Sequence, residues 1–119
     1  MLELTETQAN LLKHGADNAP LLIFVKLPSD NDATSEFNKM TEEVGRIDAL
    51  VSEGLLKDLS DRFESEINML KQREGRSYRV VMLTDIATAM FSDHKAVFMI
   101  EVNGRKRLCN VRGGEHLPN

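Results

Sequence analysis

Hydrophobic positions along this chain change their period several times, and each change marks an element. Phe37, Met40, Val44, Ile47, Leu50 and Val51 recur at spacings of three and four, with Glu36, Glu42, Glu43, Asp48 and Glu53 between them. That pattern predicts an amphipathic helix from near Thr34 to Gly54. Leu56, Leu59, Phe63, Ile67 and Leu70 keep the same spacing, which extends a second helix to about Arg73, before the break at Glu74-Gly75-Arg76. Leu21 to Leu27 is a short apolar run between Pro20 and Pro28, and Ser77 to Leu83 is another, rich in β-formers; both read as strands.

Shorter signals complete the outline. Thr5 to His14 reads as a helix with a threonine cap, closed by Gly15, and Thr84-Asp85 caps a short helix over Ile86–Phe91. Lys95–Val102 and Arg105–Val111 flank Asn103-Gly104, a dipeptide suited to a two-residue hairpin turn. The expected fold class is α+β: two amphipathic helices packed on a three- to four-stranded sheet, with a C-terminal β-hairpin. Without a linker or repeat, residues 1–112 form one expected domain and 113–119 a flexible tail.

Composition narrows the function classes. The chain has 119 residues, 41% hydrophobic and 29% charged, in the range of folded globular domains. A single cysteine, Cys109, leaves no internal disulfide and points to a reducing compartment; we expect a buried, inert thiol there. The N-terminus is acidic where a signal peptide is basic, and the longest apolar run, Leu21 to Val25, is far short of a membrane span. A cytoplasmic protein without membrane contact follows.

Catalytic and metal patterns do not emerge. His14, His94 and His116 are isolated, and Asp93-His94 reads as a solvated loop rather than a base and its orienter. Gly-rich phosphate loops and CxxC spacings are absent. The expectation is a binding protein without catalysis, metal or cofactor.

Charge is where the sequence speaks of partners. Net charge is −4, but up to Leu70 there are 6 Lys/Arg against 14 Asp/Glu, and from Lys71 onward 9 against 5. Such polarity raises a local positive surface or favours self-association, including a homodimer. Two basic clusters stand out: Lys71, Arg73, Arg76 and Arg79, with Tyr78 as a base-stacking candidate, and Arg105, Lys106 and Arg107. The alternative is an acidic protein-interaction module. There Glu42 and Glu43 on the long helix face a protein partner, and Met40 and Met69 offer adaptable apolar contact.

One stretch resembles a family. Arg46-Ile-Asp-Ala-Leu-Val-Ser-Glu-Gly-Leu-Leu-Lys57 resembles the end of a recognition helix and the start of the wing in winged-helix regulators. Glu74-Gly-Arg-Ser-Tyr-Arg-Val-Val-Met-Leu-Thr-Asp-Ile-Ala-Thr-Ala-Met-Phe91 resembles the wing tip, return strand and next helix start of their MarR-like branch. The resemblance covers residues 41–91 and implies a DNA-binding, transcription-regulating role. It implies that Thr41–Gly54, with Arg46, enters the major groove while Lys71–Arg79 touches phosphates or the minor groove. It also implies a strand directly after Gly54, where periodicity implies a helix; both readings of residues 55–73 stand at this point.

Overall fold

Two three-stranded sheets organise the computed structural model, which describes residues 2–92, 97–102 and 104–110. The elements in chain order are β1 (Leu2–Leu4), α1 (Glu6–Asp17), β2 (Ile23–Lys26), α2 (Thr34–Ser52), β3 (Leu56–Asp58), α3 (Glu64–Glu74), β4 (Tyr78–Leu83), α4 (Asp85–Ser92), β5 (Val97–Val102) and β6 (Arg105–Asn110). A 3-10 turn, Ser60–Phe63, leads into α3. The fold is mixed α+β, and the chain divides into two units, residues 1–21 with 83–119 and residues 22–82.

In the first unit the predicted hairpin is present: β5 and β6 pair antiparallel with Val102 opposite Arg105, and Gly104 has φ of +77°. Its other neighbour is a strand that periodicity does not reveal. β1 is only three residues long and runs parallel to β5, with Leu4 beside Ile100. Thr5 caps α1 as expected. Its hydroxyl accepts from the Gln8 N–H at 3.1 Å while the Gln8 side chain accepts from the Thr5 N–H at 2.8 Å, a reciprocal cap of about 1 kcal/mol.

Gly15 does not close that helix. α1 continues to Asp17, and Gly15 is buried within it because a Cβ there would lie 2.3 Å from Leu83 Cδ1. The glycine marks a close approach. Leu4, Leu12, Ala16, Leu83, Ala87 and Phe91 are buried in the same unit. Asn103, Asp93-His94, His116 and the expected tail at 113–119 lie outside the described residues, as does the side chain of Cys109.

In the second unit β4 is the central strand, flanked by β2 and β3. β2 runs antiparallel to it, Ile23 opposite Val81 and Val25 opposite Arg79. Val25, Ile47, Leu50, Leu55, Leu56, Tyr78, Val80 and Val81 are buried there. The helix expected from Leu56 to Arg73 is not continuous. Gly54 adopts φ of +77°, which ends α2 and turns the chain, and Leu55 and Leu56 are both buried. The Leu59 N–H then donates to the Val80 carbonyl at 2.8 Å, and the Ser60 hydroxyl accepts from the Val80 N–H at 3.0 Å. Pairing with β4 overrides helical periodicity until Glu64, where α3 begins.

The Gly15–Leu83 approach yields a double-mutant test. Gly15→Ala gains about 1 kcal/mol of helix propensity but forces a buried leucine aside, costing about 1–3 kcal/mol. Urea denaturation should show a net loss of about 1 kcal/mol. In a Leu83→Ala background the same change should stabilise, because the new methyl fills vacated space. Equal effects in both backgrounds would mean that the two residues do not touch.

Candidate functional site

The expected basic patch is sorted by the structure into internal and external cations. Arg76, in the turn after α3, donates from Nη1 to the Leu27 carbonyl at 2.8 Å and to Asp32 Oδ2 at 3.0 Å, and lies 3.1 Å from Met40 Sδ. Its Nη2 donates to Asp32 Oδ1. The Asp32 carboxylate also accepts from the Ser29 N–H at 2.8 Å and is only 9% exposed. Arg76 therefore fastens the loop between β2 and α2.

Arg79 on β4 does similar work one strand position away from the turn. Its Nη1 donates to Asp48 on α2 at 2.6 Å, and its Nη2 and Nε donate to Asp58 at 2.8 and 3.0 Å. Ser60 donates its N–H to the same Asp58 at 2.9 Å. Tyr78 is buried, and its hydroxyl donates to Glu74. That hydrogen bond, helped by burial, raises the phenol pKa, because it favours the neutral form.

The remaining candidates are at the surface. Arg46 on α2 pairs with Glu42 at 2.8 Å and Glu43 at 3.6 Å. Lys106 on β6 pairs with Glu3 at 3.0 Å, both side chains exposed. Lys71 and Arg73 lie exposed in the last turns of α3, and Arg105 is exposed on β6. The side chain of Arg107 lies outside the described residues. Exposed ion pairs are worth about 0–1 kcal/mol, so Arg46 and Lys106 are exchangeable to an incoming anion. Arg76 is not, because the Asp32 carboxylate, 9% exposed, would be left behind desolvated, and Arg79 is held by two carboxylates at once.

A second feature was not visible in the sequence. Phe24, Met69, Leu70 and Tyr78 line a groove of about 740 Å³ in the second unit, with Glu66, Gln72 and Arg73 at its rim. Phe24 alternates outward beside buried Val25, although Leu21 to Leu27 reads as one continuous apolar strand broken only by Lys26. Met69 is 68% exposed. Three consecutive apolar residues, Ile23-Phe24-Val25, carry no alternation that marks Phe24 as outward.

Among the described residues no group of three or more His, Cys, Asp or Glu is placed to hold a metal ion. No described helix is long and apolar enough to cross a membrane.

Acid stability reports on Asp32 and Asp58. The Arg76 hydrogen bond, and then the Ser29 N–H, holds the Asp32 carboxyl below its ordinary pKa. Partial burial raises that of Asp58, but Ser60 and Arg79 outweigh it and the net shift is downward. Both carboxylates therefore contribute stability above the unfolded pKa of about 4, lost as pH falls through their lower folded values. Asp32→Asn should lower the denaturation midpoint at pH 7, and the gap to wild type should narrow below about pH 4. A gap constant down to acid pH would show that the Arg76 pairing adds no pH-dependent stability.

No protein-family model, curated protein or solved structure matches this chain, and the case for its function rests on its own residues and geometry.

Proposed function

We propose that this chain is a non-catalytic, nucleic-acid-binding and transcription-regulating module of the winged-helix kind. One observation carries the reading: the order of elements over residues 41–91. α2 ends at Gly54, a strand follows directly, it pairs with return strand β4, and Thr84 opens the next helix, its hydroxyl accepting from the Ala87 N–H at 3.3 Å. That is the succession the resemblance implies, except that α3 stands between the two strands where it implies a wing.

The phosphate-contacting set in this reading is smaller than the sequence suggests. Of the cations expected at the site, Arg46, Lys71, Arg105 and Lys106 need not break a semi-buried pair. Arg76 and Arg79 act as internal struts, and Tyr78 belongs to the groove beside α3 rather than to the phosphate-contacting set. Arg73 belongs to the groove face of α3.

A different observation favours a second reading. The carboxylates Glu36, Glu42 and Glu43 lie toward one side of α2 and make it acidic, which suits a basic protein partner better than a polyanion. The two readings separate on the sign of charge.

Fluorescence anisotropy with duplex DNA at about 50 and 200 mM salt tests the first. Binding should weaken steeply with salt, and Lys71→Glu and Arg105→Glu should each cost about tenfold and reduce the salt slope by about 1. Absence of binding at both salts would overturn it and leave the acidic face of α2 as the interaction surface.

A further inference from the structure

α3 is an eleven-residue helix with no buried residue. Isolated helices of fewer than about 12 residues are marginal in water, so packing against another surface normally sustains them. Its apolar side chains Ile67 and Leu70 are only half-buried, and Met69 is more exposed than Phe24, the groove's other exposed apolar residue. The groove lies on the face formed by Glu66, Met69, Leu70 and Arg73, at spacings of three, one and three. Those spacings place the four side chains together, whereas Lys71, two residues beyond Met69, projects elsewhere.

The charge order along this face identifies its occupant. Glu66 stands toward the N-terminus and Arg73 toward the C-terminus, with Met69 and Leu70 between them. A parallel copy would set Glu66 against a second Glu66. An antiparallel copy, with a two-fold axis between Met69 and Leu70, sets Glu66 against Arg73 of its partner and Met69 against Leu70 of its partner. Two-fold interfaces require this self-complementarity, in which residue i meets j and j meets i. An unrelated apolar helix would fill the groove equally well but need not carry the reversed charges seven residues apart, a match that a second copy always supplies.

We propose that two copies of this chain associate through α3, packed antiparallel, with Met69 of each protomer seated in the Phe24–Leu70–Tyr78 groove of its partner. Met suits such a shared seat because its unbranched side chain adapts to an irregular gap. Tyr78 contributes its ring face while its hydroxyl stays engaged by Glu74. The proposal stands on the groove alone, apart from the nucleic-acid reading.

Sedimentation velocity of the full chain from about 1 to 200 µM tests it, a range that spans weak to moderate self-association. The expected species at high concentration has twice the 13.4 kDa mass of the chain. Met69→Lys should leave a folded monomer by circular dichroism, because that side chain is largely outside the core. Glu66→Arg alone and Arg73→Glu alone should each weaken association about tenfold or more. An equimolar mixture of those two single variants, and the double variant E66R/R73E, should both restore it. A wild-type monomer throughout the range would overturn the proposal. So would a dimer indifferent to these variants, which would place the interface elsewhere on the chain.

Discussion

Arg79 sits where three elements of the second unit meet, and much of that unit's arrangement depends on its pairing. The residue is on the central strand β4, 19% exposed at its side chain, and holds Asp48 of α2 and Asp58 of β3 at once. A guanidinium is suited to this because its donors are fixed in a plane and it stays charged throughout the accessible pH range. Arg76 repeats the device at the start of the strand, drawing in Asp32 and the Leu27 carbonyl. Removing Arg76 costs more than its pair is worth, since Asp32 is left desolvated. The hydrophobic residues of the unit, Ile47 and Leu50 on α2 and Leu56 on β3, are buried in a geometry that these struts also fix.

The same pairs give the uneven charge of the chain a structural explanation. Its acidic first part supplies Asp32, Asp48, Asp58 and Glu3, while its basic later part supplies Arg76, Arg79 and Lys106. Much of the sequence polarity is thus discharged by folding. A basic cluster in sequence overstates the basic surface whenever its arginines face carboxylates from distant positions, and 44 residues separate Arg76 from Asp32. Lys71 and Arg105 instead lie exposed, on α3 and β6.

Legibility in the sequence followed the range of the interaction that decided each element. α2, the strand beginning near Tyr78, the Thr84 cap and the hairpin rest on local periodicity or local hydrogen bonds, and all were readable. β1 was not, because three residues carry too little pattern and its partner β5 lies more than ninety positions away. Periodicity alone makes residues 56–59 helical because Leu56 and Leu59 satisfy a three-residue spacing by accident, while the decisive contact is to Val80. Gly15 looked like a helix stop and is a packing solution, a distinction that only the position of Leu83 can draw. For the surface, residue types were readable but their engagement was not.

α3 shows how one charge order can serve two purposes. Acidic residues in its first turn and basic ones in its last favour the helix dipole, worth about 0.3–1 kcal/mol for each well-placed charge. That intrahelical benefit accounts for Glu64, Glu66, Lys71 and Arg73 without reference to any partner. It does not account for Met69, since exposing a long apolar side chain at 68% does nothing for a dipole. Nor does it explain why Phe24, on a strand far away in sequence, turns outward beside the same helix. Two apolar side chains from separate elements, converging on a groove with an acid at one end and a base at the other, require a cause beyond helix stability. The distribution of those charges along the face is what limits the shape and polarity of anything that covers it.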